Sequence, residues 1–135
     1  MGAPMSSAVH ESANLENWLW LGLQIRCALL PNEPRLIDHY LAEGRYLARF
    51  TPTSPNSVAH GTFRLLLETA LDQALPWHWR SLCLDQAWRP LRDLRNCAAH
   101  PAHIRQWQDC AHQLACCELL PSIPLTDLLQ GYCDE

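Results

Sequence analysis

The densest potential chemistry in this 135-residue chain lies between residues 97 and 117, where Cys97, His100, His103, Cys110, His112, Cys116 and Cys117 follow one another. Thiolate and imidazole are the usual protein ligands of zinc, iron and haem iron. Cys97-x-x-His100-x-x-His103 puts three donors in a short run, and His112 and Cys116 stand one helical turn apart. An iron, zinc or haem site on Cys97, His100, His103, Cys110, His112 and Cys116 is therefore one reading. The structural reading is preferred, with no cofactor. No C-x-x-C pair occurs. His103, Trp107, Cys110, Leu114 and Cys117 also fall on one helical stripe, and free cysteine is among the most buried residue types. A di-iron carboxylate bundle needs two Glu-x-x-His pairs; Asp109-x-x-His112 is the sole acid-to-His pair at that spacing. His39 and Glu43, four apart, read as a surface pair.

The second unusual stretch is Pro76-Trp-His-Trp79, followed by Asp85-Gln-Ala-Trp-Arg-Pro-Leu91. On a helix Trp77, Leu84 and Trp88 share one face; His78, Ser81, Asp85 and Arg89 share the opposite one. Asp85 and Arg89 suit an i,i+4 ion pair worth a few tenths of a kcal/mol. The plain reading makes Trp77 and Trp88 core residues beneath a solvated polar face. The functional reading makes Trp77, His78, Trp79, Arg80, Asp85, Trp88, Arg89 and Arg92 an interaction surface for a protein partner or a second copy, because Trp and Arg dominate interface hot spots. Residues 77–105 hold five Arg against two Asp, whereas residues 106–135 hold five acids and no Arg or Lys. Trp beside Arg can stack nucleobases, but a net charge of -4 works against nucleic acid, whose binding rests on neutralising phosphates.

Composition removes whole classes of activity. The chain has no lysine, so a P-loop lysine, a Schiff base and a Ser–Lys dyad are excluded. Its five glycines form neither G-x-G nor G-x-S-x-G, which removes dinucleotide fingerprints and nucleophile elbows. None of the seven cysteines sits in a recognisable nucleophile signature. The expectation is a protein that is not an enzyme. The odd, scattered cysteines suit reduced thiols, and the N-terminus lacks the basic and apolar regions of a secretory signal. Trp18 to Leu23, the longest apolar stretch, is too short to span a bilayer. The expected setting is cytoplasmic, without a membrane.

The elements that must carry these residues are helical. Leucine contributes 24 residues, and Val plus Ile only six; straight-chain apolar residues favour helix and β-branched ones favour strand. No period-two alternation appears. The expected fold is all-α, a single-domain bundle of five to seven proline-bounded helices over 13–135 behind a flexible tail, 1–12. Helices are expected at about 14–30, capped by Ser12 or Asn14 and stopped by Pro31, and at about 34–49 and 55–74. A further helix from Pro76 to about Trp88 is kinked or restarted at Pro90. Another spans 101–118, and a last short one ends near Gly131. The first helix is apolar on nearly every side from Trp18 to Leu30, so it either fills the core or meets a partner. Leu36, Ile37, Tyr40, Leu41, Leu47 and Ala48 form the inner stripe of the second; Gly44 permits a close crossing. Ala59, Phe63, Leu66, Leu67, Ala70, Leu71 and Ala74 face inward on the third, with His60, Arg64, Glu68 and Asp72 outside. Trp18-x-Trp20-x-x-Leu23 is echoed by Trp77-x-Trp79-x-x-Leu82, a weak sign of duplication.

Four strings carry a family resemblance: His39-Tyr-Leu-Ala-Glu-Gly-Arg-Tyr-Leu47, Ala74-Leu-Pro-Trp-His-Trp-Arg80, Cys83-Leu-Asp-Gln-Ala-Trp-Arg-Pro-Leu91 and Cys117-Glu-Leu-Leu-Pro-Ser-Ile-Pro-Leu125. In this order, over roughly residues 14–132, the chain resembles the small Pseudomonas-type FagA (fumarase-C-associated) proteins. That resemblance implies an iron-regulated protein encoded beside fumarase C and manganese superoxide dismutase, acting in the bacterial response to iron limitation. It brings no catalytic residues with it. The combined expectation is a small cytoplasmic helical interaction or adaptor protein, docking a partner through the first helix or the Trp77–Arg95 surface.

Overall fold

The computed structural model describes the backbone of residues 3–124 and the side chains of residues 12–124. Among these the chain forms six helices and no strand: α1 (Ala3–Arg26), α2 (Arg35–Phe50), α3 (Pro55–Leu71), α4 (Trp77–Gln86), α5 (Trp88–Asn96) and α6 (Pro101–Cys116). This is the expected all-α, single-domain bundle. The helix expected to end near Gly131 lies outside the described residues.

Helix α3 is the hub, packed against each of the other five. Its start is set locally. Ser54 has extended backbone and accepts a hydrogen bond from Ser57 N–H, and Pro55 occupies the first turn, where its missing N–H costs nothing. Val58, Ala59, Thr62, Phe63, Leu66, Leu67, Thr69 and Ala70 are buried along it. The helix ends at Leu71, before the expected residue 74, because Asp72 turns the chain. Its carboxylate accepts from Ala74 N–H at 3.0 Å and from Arg26 Nη1 at 2.7 Å. Leu71 and Ala74, expected inside, are exposed as a result.

Helix α2 buries Leu36, Ile37, Tyr40, Leu41, Gly44 and Leu47, the predicted stripe with Ala48 half-buried. Gly44 marks the close crossing: a methyl group there would meet Trp18 Nε1 at 3.0 Å and Val58 Cγ1 at 3.2 Å. Trp18 lies flat on Tyr40.

Helix α1 differs from expectation at both ends. It begins at Ala3, so Ser12 and Asn14 are internal, not caps. It stops at Arg26, well before Pro31. Ala28 N–H bonds Ile25 C=O at 3.1 Å and Leu29 N–H bonds Gln24 C=O at 3.0 Å. These two bonds make a Schellman cap, with Ala28 in the left-handed region at φ 50° where glycine is usual. No glycine signals this end, so Pro31 was the visible stop. Trp79 Nε1 also donates to Ile25 C=O, at 3.0 Å, tying α4 to the end of α1.

Pro90 starts a new helix rather than kinking one, and it is buried. The segment after α6 returns to α3. Ile123 N–H donates to Gln73 C=O at 2.8 Å, and Ser122 Oγ to Leu75 C=O at 2.6 Å. The tryptophan echo is not a structural repeat. Trp18 is inside and Trp20 outside, whereas Trp77 is outside and Trp79 inside.

Candidate interaction surface

Each predicted site residue has a definite place. Helix α4 buries only Trp79, Arg80 and Cys83. Trp79 and Arg80 are fully inaccessible, so two of the eight residues assigned to the surface belong to the core instead. A guanidinium in an apolar interior needs its donors satisfied. Arg80 Nε donates to Ala70 C=O at 2.8 Å and Nη1 to Ser122 Oγ at 2.9 Å, Nη2 has no hydrogen-bond partner among the described residues, and Cζ lies 5.5 Å from the Trp77 ring centroid. Arg80 thus clamps the end of α3 to the returning C-terminal segment.

Trp77 and Trp88, given an inward place by the plain reading, are instead exposed, Trp88 by 51%. Arg92 lies over Trp88 at 5.1 Å and Arg95 over Trp107 at 5.4 Å. Arg89 does not pair with Asp85. It reaches Asp38 of α2 at 2.8 Å and Gln86 at 3.0 Å, because the bundle offers a carboxylate that local spacing cannot reveal. Asp85 is exposed, and His78 Nε2 meets the Pro31 carbonyl at 3.0 Å. The five arginines between 80 and 105 are therefore dispersed among a core clamp, an ion pair and two aromatic stacks, with Arg105 exposed on α6.

The Cys/His segment does not converge. Cys97 follows α5, its thiol 3.5 Å from Leu94 C=O. His100 precedes α6 and its ring meets His103 edge-on at 5.5 Å. Cys110 is buried, with Trp107, Leu114 and Cys117 packed against the core beside it. His112 and Cys116 are exposed, the thiol 3.7 Å from the ring. Donors on opposite faces of one helix cannot close on one ion. Among the described residues no group of three or more His, Cys, Asp and Glu could hold a metal ion. The zinc, iron or haem alternative on Cys97–Cys117 loses its geometric basis. Burial pushes the Cys83 thiol up to about 12 and raises those of Cys97 and Cys110, which keeps all three protonated.

The surface that sequence reasoning left without named residues is on α1. Trp18, Leu21 and Ile25 face the core. On the other side Leu15, Leu19 and Leu23 form an i,i+4 ridge, with Trp20 beside it and Cys27 exposed at its end; Leu19, Trp20 and Leu23 are 57%, 52% and 50% exposed. Leu29 and Leu30, in the turn that follows, are also exposed. Glu16 is the one charged residue among the exposed positions from 15 to 23. The signal was in the sequence: two apolar ridges on one helix, of which a core can take only one. No helix of the described residues is long and apolar enough to cross a membrane.

No family model, no curated protein and no solved structure matches this chain.

Proposed function

We propose that this chain is a non-enzymatic helical interaction protein, cytoplasmic, that pairs with a second copy of itself along the outer ridge of α1. The observation that carries the reading is the exposure of Leu15, Leu19, Trp20 and Leu23 on a helix whose opposite face is already buried. With Leu29 and Leu30, these half-exposed side chains leave on the order of 600 Å² of apolar surface, the upper end of what monomers show. Two such faces together reach roughly 1,200 Å², where stable interfaces begin. An i±4n ridge packs into its own copy at about -50°, the commonest helix crossing. A nearly uncharged face meets its copy without like-charge repulsion. Light scattering on the wild type and Leu19→Glu tests the pairing: a dimer that the substitution dissociates is expected.

The cellular setting we propose is the response to iron limitation. It is supported by the sequence resemblance to the FagA proteins alone. Protein abundance with and without an iron chelator tests it separately; unchanged abundance would remove this part and leave the pairing intact.

A further inference from the structure

Helices α2 and α5 both lie on α3, yet their backbones hardly approach each other. Two ion pairs span the gap. Asp38 of α2 takes Arg89 of α5 at 2.8 Å, and Arg45 of α2 donates to both carboxylate oxygens of Asp93 of α5, at 3.1 and 3.4 Å. Behind the Arg45–Asp93 pair is a cavity of about 270 Å³. Leu41 and Ala48 wall it from α2, Val58 and Ala59 from α3, and Pro90 from α5. Thr62 also lies on the lining; apart from it and Cys97, the polar side chains there are those of Arg45, Arg49 and Asp93.

The rim carries the charge. Arg45 and Asp93 neutralise each other. Arg49, also on the lining, has no carboxylate partner among the described residues and lies over the exposed Phe50 ring at 5.4 Å. An apolar cleft with one free guanidinium at its mouth matches a ligand with an apolar body and one anionic group, since Arg pairs with carboxylate in a planar, two-pronged geometry. At roughly 30 Å³ per water-sized group, as in a liquid, the volume takes a body of about eight or nine heavy atoms. The Cys97 thiol on the lining is held to the Leu94 carbonyl, which suits reversible binding and not covalent capture.

We propose that the α2–α5 cleft is a binding site for a small amphipathic monocarboxylate, its chain between Leu41, Val58 and Pro90 and its carboxylate on Arg49. Octanoate titrated into the full chain, followed by calorimetry, is the probe, with octanol as its uncharged control. Saturable binding of one octanoate per chain at about 0.1–1 mM is expected. Ala48→Trp, which fills the cleft, abolishes it. Arg49→Gln weakens octanoate about tenfold and leaves octanol unchanged. The exposed Arg49 position keeps the test decisive if Ala48→Trp fails to fold. Absence of saturable binding, octanol binding as tightly as octanoate, or an unchanged octanoate affinity in Arg49→Gln would each overturn the proposal.

Discussion

The indole of Trp18 lies on the ring of Tyr40 with centroids 5.3 Å apart and planes 5° from parallel, and the edge of that indole rests against Gly44 one turn further along α2. The stack fixes how closely α1, α2 and α3 approach. Alanine at position 44 would gain about 1 kcal/mol of helix propensity. Its methyl would press on Trp18 Nε1 and Val58 Cγ1, and overpacking of this kind costs about 1–3 kcal/mol. Gly44→Ala should therefore lower stability by about 1 kcal/mol in urea unfolding. A higher unfolding midpoint would show that the crossing has slack.

Ala28 makes the opposite prediction. It holds the left-handed position of a Schellman cap at φ 50°, which costs an L-residue about 1 kcal/mol and glycine almost nothing. Ala28→Gly should stabilise the protein by about that amount, raising the thermal midpoint by roughly 3–5 °C. A lower midpoint would mean that the turn is held by something other than its cap.

The pairing of Asp72 with Arg26 gives the fold an acid-sensitive element. The Arg26 hydrogen bond holds the Asp72 carboxyl below the usual carboxylate range against the opposing effect of burial, and Ala74 N–H adds to it. A carboxyl whose pKa is lower folded than unfolded stabilises above its unfolded value and loses that contribution as pH falls through the folded one. Asp72→Asn should cost about 1 kcal/mol at pH 7, and its difference from wild type should shrink below the ordinary carboxylate pKa. Urea unfolding at pH 7 and below pH 4 measures this. A difference that does not vary with pH would separate the role of Asp72 from its charge.

Thiol chemistry should divide by depth. Cys27 and Cys116 are exposed, while Cys83 is fully buried with its thiol pushed up to about 12. Because the thiolate is the reactive species, pulse alkylation of native protein should label Cys27 and Cys116 quickly and Cys83 only on unfolding. Mass-spectrometric mapping gives the result. Rapid native labelling of Cys83 would contradict the packing of α4.

The helices were legible because their signals are local. Pro34, Pro55 and Pro101 stand at or beside the starts of α2, α3 and α6, and the inner stripe of α2 follows from spacing. What depends on residues distant in the chain was not. Arg80 is buried because the Ala70 carbonyl and the Ser122 hydroxyl take up two of its three nitrogens. Arg89 pairs with Asp38 and not Asp85 because α2 and α5 both lie on α3 and the long Arg89 side chain spans the gap between them. The core face of α6, by contrast, follows from spacing: Trp107, Cys110, Leu114 and Cys117 of the expected stripe pack inward, which leaves His112 and Cys116 outside. On α1 both apolar ridges were visible, but which one the core would cover was not.

The self-pairing of α1 is tested most directly by sedimentation velocity over a wide concentration range on three proteins: wild type, Leu19→Glu and Trp88→Glu. The last places the same charge on a different exposed aromatic surface, where Arg92 covers Trp88. A wild-type species of twice the 15.4 kDa chain mass, a Leu19→Glu monomer with unchanged helical circular dichroism, and a Trp88→Glu dimer are expected. A wild type that stays monomeric at every concentration, or a dimer that Trp88→Glu dissociates and Leu19→Glu does not, would contradict the self-pairing.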